Sequence, residues 1–302
     1  MRVHEKNRSQ PRLPDHDPEH GASDSYELTK EFMHPMLNTA IKAARKAGTV
    51  IQRGARDLDR LTVTSKGPKD FVSEVDKGAE AAIVETLLEA YPDHGILAEE
   101  GTINSRAKNL DNIWIIDPLD GTTNFLHGLP HYCVSIALQH KGVITQAVIY
   151  DPNRNDLFTA TRGGGAYLND RRLRVSRRIR MDEALIATGF PFKDGSLVET
   201  YLDMMREMMH KTAGLRRAGA AALDIAYVAA GWYEGFWEAG INSWDMAAGS
   251  LLVVEAGGLV TDIYGEDQFL QNGTVVAATP KILPQMLQVL SPHMKKAHAA
   301  PK

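Results

Sequence analysis

An apolar run, Ile113-Trp114-Ile115-Ile116, ends abruptly in Asp117-Pro118-Leu119-Asp120-Gly121-Thr122-Thr123-Asn124. A short, wholly apolar run of this kind reads as a strand buried on both faces. Pro118 keeps Asp117 out of helical geometry. The junction therefore delivers two carboxylates, three residues apart, at the end of a buried strand. A plain turn is one reading, because Asp-Gly is a favoured hairpin dipeptide. A hairpin needs a second strand, however, and Thr-Thr-Asn-Phe-Leu-His-Gly-Leu-Pro does not alternate like one. In the other reading the two carboxylates share hard cations and Leu119 offers its carbonyl. Gly121 and Thr122 then start a helical turn whose backbone N–H groups receive a phosphate. All-oxygen ligation favours Mg²⁺ or Mn²⁺ over zinc.

Composition narrows what surrounds such a site. With 43% hydrophobic and 24% charged residues, the 302-residue chain has the make-up of an ordinary globular protein. A net charge of -4 gives no general pull toward nucleic acid or anionic membranes, so an anionic substrate needs a cation of its own. The single cysteine, Cys133, rules out an intramolecular disulfide, argues against a Cys-based zinc site and fits a reducing compartment. It lies in the apolar run Tyr132–Leu138 and reads as a core thiol. No stretch reaches the ~18 apolar residues of a membrane span. Basic residues near the N-terminus are not followed by the apolar segment of a secretory signal. The expectation is a cytoplasmic protein with no membrane contact.

Residues 1–32 are polar, carry three prolines and read as a disordered extension, with Met33 a candidate start. Leu37, Ile41, Ala44, Ala47 and Ile51 fall at helical spacing, and Gly54 is the expected stop. A second helix begins near Ser73, carries Val75, Ala79, Ile83 and Leu87 on one face, and ends at Pro92. Between them, Ser65-Lys66-Gly67-Pro68-Lys69-Asp70 has the punctuation of a mobile turn. Strands are expected at residues 96–98, 113–116, 134–139, 143–150, 157–160, 166–168, 235–239, 259–263 and 274–278. Helices are expected near 199–211, 220–231, 244–256 and 281–290. Helix pairs alternating with groups of strands argue for an α+β layered sandwich.

The string from Asp117 to Phe125 resembles the signature of the inositol monophosphatase family. A second signature appears as Trp244-Asp245-Met246-Ala247-Ala248-Gly249, followed by Glu255-Ala256-Gly257-Gly258. Met33-His34-Pro35-Met36-Leu37-Asn38 and Ala187-Thr188-Gly189-Phe190-Pro191-Phe192 are similar to the bacterial inositol-1-monophosphatases. The resemblance implies an αβαβα sandwich of the inositol monophosphatase and fructose-1,6-bisphosphatase type over residues 33–295, with 296–302 as a tail.

By the same resemblance, Glu99, Asp117 and the Leu119 carbonyl hold a first Mg²⁺, and Asp117, Asp120 and Asp245 a second. A third, weaker ion sits near the Lys66 loop. The formal charge of this acidic set is strongly repulsive without cations. Thr122 and Glu99 are the implied activators of the attacking water, with Asp76 orienting Thr122. Asp76 also reads as the last member of a capping box that starts at Ser73. Gly121 and Thr122 are implied phosphate contacts. Asp120, Ala221, Glu238 and Asp245 are implied contacts to inositol hydroxyls. Taken without the family, Glu238 reads as a solvated strand-edge glutamate. One departure is that Glu99-Glu100 is followed by Gly101 and Thr102, where the family has Ser or Thr directly.

The implied activity is Mg²⁺-dependent hydrolysis of inositol-1-phosphate and related monoesters by water, without a phosphoenzyme, in a lithium-sensitive homodimer. The alternatives are a sugar bisphosphatase, a 3′-nucleotide phosphatase, or a regulator bound to RNA or RNA polymerase. For the last, Arg171, Arg172, Arg174, Arg177, Arg178 and Arg180 form a candidate docking patch; a solvated loop is the plainer reading. His127 and His131 lack the helix that an i, i+4 metal pair requires. Gly163-Gly164-Gly165 lacks the Lys-Ser or Lys-Thr of a P-loop and reads as a hairpin turn. Met204, Met205, Met208 and Met209 read as a core or dimer-facing stripe.

Overall fold

The computed structural model describes residues 34–67, 70–191 and 195–299. Residues 1–32, expected as an extension, and the candidate start Met33 lie outside the described residues. From Pro35 onward, helices and sheets alternate in five layers.

The outermost layer is α1 (Pro35–Gly54) packed on α2 (Glu74–Ala90). Ala40, Ala43, Ala44, Ala47 and Ile51 make a buried stripe of small residues on α1, which lets the helix lie close against the sheet beneath. That sheet has seven strands in the order β3 (His94–Ala98), β4 (Asn109–Asp120), β5 (Cys133–His140), β6 (Val143–Asp151), β7 (Asp156–Thr161), β8 (Gly165–Leu168) and β9 (Arg171–Arg172). Only β3 and β4 pair in parallel; the remaining pairs are antiparallel. A central layer follows, α5 (Ala221–Ala229) against α6 (Ser243–Glu255), in contact with both sheets.

The second sheet runs β11 (Gly214–Arg216), β10 (Leu185–Thr188), β12 (Gly235–Ala239), β14 (Thr274–Ala278), β13 (Leu259–Thr261). Its far face is covered by α4 (Val198–Lys211) and α7 (Leu283–Ala299). Strand alternation sorts its residues between two cores. Phe236, Val275 and Ala277 join the central layer, whereas Trp237, Val276 and Ala278 face Met204, Met208 and Met286. This is the expected αβαβα sandwich. The methionine stripe is split: Met204 and Met208 are core, while Met209 is exposed.

Three local differences have physical causes. The stretch expected as a mobile turn is flanked by paired strands, β1 (Val63–Gly67) with β2 (Asp70–Ser73). β4 begins four residues before its apolar core, at Asn109, because a polar start with no apolar signal is held by pairing of Asn109 with His94 of β3 and of Asn112 with His140 of β5. The last helix continues beyond Leu290 to Ala299, into the expected tail, with Pro292 inside it. Leu290 and Met294 are buried against the second sheet's core, and that packing outweighs the missing proline N–H.

Candidate active site

Parallel pairing of β3 with β4 sets Ala98 opposite Ile116, so the next residues, Glu99 and Asp117, emerge side by side. The Glu99 N–H donates to the Ile116 carbonyl at 3.1 Å. β4 slips register between Asp117 and Asp120, which brings Asp120 opposite Cys133. Gly121 then turns the chain with φ +90°, where a Cβ would lie 3.0 Å from the His131 carbonyl. Only glycine suits that conformation and that approach. The expected helical turn follows at once as α3 (Thr122–Leu126).

Helix starts fix the other acids. Asp76, third residue of α2, accepts from the Ser73 N–H at 2.9 Å and the Ser73 hydroxyl at 2.6 Å through Oδ2, closing the capping box. Its Oδ1 accepts from the Thr122 hydroxyl at 3.0 Å, so one side chain serves both expected contacts. Thr122 Oγ1 also lies 3.0 Å from the Leu119 carbonyl. Asp120 Oδ2 accepts from the Ala222 N–H in the first turn of α5 at 2.8 Å. Asp245, third residue of α6, accepts from the Asn242 N–H at 2.7 Å. Carboxylates so placed are favoured by the positive end of each helix dipole.

These residues border a cavity of about 460 Å³. At one end, carboxylate oxygens of Asp117, Asp120 and Asp245 lie within 4.8 Å of one another, and Glu99 lines the same end. Burial, then the neighbouring charges of Glu99, Asp120 and Asp245, pushes the Asp117 carboxyl well above its ordinary value. Burial, with the charges of Asp224 and Glu99, lifts Asp120 to about 6 against the pull of the Ala222 N–H. Protonation is how such crowding is relieved in the bare protein; a divalent cation relieves it without protons. Three carboxylates and a carbonyl form an all-oxygen donor set, which fits Mg²⁺.

The other end is assembled from the second sheet. Glu238 on β12 is 9% exposed, and burial followed by the charges of Asp245, Asp120 and Asp224 raises its carboxyl well above the ordinary range. The solvated strand-edge reading is thereby corrected: β10 and β14 flank Glu238 on both sides. Any Cβ at Gly189 would overlap the Glu238 carboxylate, so that glycine makes the room. Ala221 lines this end at the start of α5.

Residue patterns alone missed Arg217, Asp224, Thr188 and Phe71, all in the cavity lining. Arg217 places a cation in this lining; its guanidinium stacks 5.0 Å over the Phe190 ring. Asp224 had a readable signal, since it is the lone acid in the apolar helix α5. It is 1% exposed, and its Oδ1 lies 3.5 Å from His131 Nε2. Cys133 is fully buried, and burial first, then Asp120 and Asp117, raises its thiol well above the usual value. In the arginine run, Arg178 is bound at 2.8 Å by the buried Glu234, and Arg180 is bound at 2.5 Å by Asp182.

A layered αβαβα sandwich with an all-oxygen acidic cluster at the end of β4 defines a class of phosphatase fold. The chain belongs to the inositol monophosphatase family, whose model matches residues 33–295. It is 53% identical to the Nus factor SuhB of Pseudomonas aeruginosa over 265 residues, 87% of this chain and 98% of that one. Among solved structures, it is similar to the extragenic suppressor protein suhB of Bartonella henselae, with 45% identity, a TM-score of 0.83, and coverage of 85% of this chain and 98% of that one. The Thermotoga maritima IMPase matches with 34% identity and a TM-score of 0.79, over 87% of this chain and 100% of that one.

Proposed function

We propose that the protein hydrolyses phosphate monoesters, inositol-1-phosphate first among them, to the free polyol and inorganic phosphate in a Mg²⁺-dependent reaction. The observation that carries the reading is the buried oxygen cluster of Asp117, Asp120 and Asp245, with Glu99 beside it, facing a separate polar wall across one cavity. Glu99, Asp117, the Leu119 carbonyl, Asp120 and Asp245 would hold two or three ions. Bound Mg²⁺ supplies Lewis-acid stabilisation of the phosphoryl oxygens and makes water acidic enough to react near neutrality.

The chain's own groups do the rest. Thr122, held by Asp76, positions the attacking water, and Glu99 accepts its proton. Backbone N–H groups of Gly121 and Thr122 receive phosphate oxygens. The water oxygen bonds to phosphorus as the bond to the polyol oxygen breaks in line, and the departing oxygen is protonated from solvent. Cys133 does not compete with water as nucleophile, since it is buried and held as a thiol. Glu238, Asp120, Asp245 and the start of α5 at Ala221 meet the polyol hydroxyls. Catalysis on this reading is positioning plus charge stabilisation.

The deciding experiment is a panel of inositol-1-phosphate, fructose-1,6-bisphosphate and adenosine 3′,5′-bisphosphate with Mg²⁺. A preference for either bisphosphate replaces the inositol assignment with the corresponding relative's. Lithium inhibition and a homodimer belong to the same proposal, checked by Li⁺ titration and sedimentation. So does cytoplasmic residence, which is consistent with the lack, among the described residues, of any helix long and apolar enough to cross a membrane.

A second reading is favoured by the Pseudomonas aeruginosa relative, a Nus factor by name. On that reading the chain also contacts RNA or the transcription machinery through Arg171, Arg172, Arg174 and Arg177. Arg178 serves the buried Glu234 and is left out of the test. A pull-down with the R171Q/R172Q/R177Q variant should lose partners that wild type retains; identical partners would remove the patch from the proposal.

A further inference from the structure

We infer that Glu80 is a positioning residue for Glu99, so that α2 clamps both of the groups that handle the attacking water. This rests on the reaction proposed above. Glu80 lies one helical turn after Asp76, on the same face of α2. It is 2% exposed, and its carboxylate is filled by backbone from the loop after Glu99. Oε2 accepts from the Glu100 N–H at 2.8 Å. Oε1 accepts from the Thr102 N–H at 3.1 Å and makes a short bond with the Thr102 hydroxyl.

Glu99 is thus gripped from both sides. Its own N–H is tied to Ile116 of β4, and the next N–H is tied to Glu80 of α2. Gly101, at φ +89°, bonds back to the Ala98 carbonyl at 3.2 Å and closes the loop between these anchors. One turn earlier on the same helix, Asp76 holds the Thr122 hydroxyl. A rigid helix therefore carries both clamps, and the distance between Thr122 and Glu99 is set by helix pitch together with the β3–β4 pairing rather than by the loop. The departure at Gly101-Thr102 also acquires a cause, because it is the hydroxyl at 102 that reaches Glu80.

Three donors converge on a buried group, and only an acceptor-only carboxylate satisfies them all. Glutamine has the same size but turns an NH₂ toward an N–H donor, so E80Q breaks the clamp without emptying space. In metal-free protein, amide exchange at Glu100 and Thr102 should quicken about tenfold or more in E80Q, while α2 and β4 keep their protection. Mn²⁺ affinity by calorimetry and Mg²⁺-saturated kcat should each fall about 10–100-fold, as for other groups that orient metal ligands, with substrate KM within about twofold. T102V, which loses only the hydroxyl contact, should fall between E80Q and wild type.

Wild-type Mn²⁺ affinity and kcat in E80Q would overturn the inference, as would a loss of protection spread through α2, which marks a purely structural role. If wild type hydrolyses none of the phosphate panel, the proposed function fails instead; exchange and Mn²⁺ binding still decide whether Glu80 positions Glu99.

Discussion

The two ends of the cavity are built on different principles. The end supplied by β3, β4 and the helix starts gathers charges of one sign and is fixed by backbone: a parallel register, a bulge, a glycine turn and two capping boxes. The opposite wall mixes signs, with Glu238, Asp224 and Arg217 in one lining, and comes from short pieces of the second sheet and the start of α5. The first arrangement suits a reaction common to many phosphate esters. The second suits choosing among their alcohols. On the proposed function, Asp120 and Asp245 serve both ends, whereas Glu238 serves the alcohol alone, so substitutions there should separate selectivity from chemistry.

The largest effect is expected from D120N or D245N. Asparagine keeps an acceptor for the Ala222 or Asn242 N–H but removes the charge, so kcat should drop on the order of 10³-fold or more with little change in Tm. Near-wild-type rates in either variant would break the division at its acidic end. E238Q should act on the other side. Its kcat/KM for inositol-1-phosphate should fall about tenfold or more, roughly one hydrogen bond to a charged group, while phenyl phosphate, which lacks the hydroxyls, is hydrolysed almost as before. Equal losses on both substrates would merge the two ends into one.

G189A sharpens the same point without touching a polar group. The added methyl displaces the Glu238 carboxylate, so a selective loss of about threefold to tenfold on inositol-1-phosphate is expected, near 1 kcal/mol of misplaced contact. The smallest effect is thermodynamic. Asp120 titrates at about 6 instead of near 3.8, and Asp117 is raised as well. The metal-free fold therefore holds protons more tightly than the unfolded chain. That contribution is full below the ordinary carboxylate pKa and is lost as pH rises through about 6. The gain in Tm on adding Mg²⁺ should consequently grow between about pH 5 and about pH 7.5. A gain independent of pH would uncouple the acids from the metal.

The acidic end was partly legible in the chain, where it is local; Glu99 and Asp245 come from elsewhere and are reached only through the family resemblance. The string from Asp117 to Asn124 contains two carboxylates, the turn and the helix start in order, and Ser73-Glu74-Val75-Asp76 spells its own cap. The selective wall was less so. β10 is four residues long, and its meaning depends on parallel partners at β11 and β12 that lie far along the chain. Glu238 looks solvated until β14 is known to cover it. Arg217 had no pattern at all, only the argument from net charge that some cation was needed. Glu80 was hidden for the opposite reason: a glutamate in a helix is unremarkable until the loop it holds is in view.

Asp76, Asp120 and Asp245 each close a backbone N–H at the start of a helix. Losing such a contact to alanine costs about 1 kcal/mol of folding stability, whatever the protein does. An acceptor side chain at these positions is therefore enforced by the helices, and its charge by the proposed reaction. A descendant that abandoned hydrolysis for another occupation would still be held by its helices to aspartate or asparagine at these positions, so drift to asparagine there, with the fold intact, would be the mark of lost turnover.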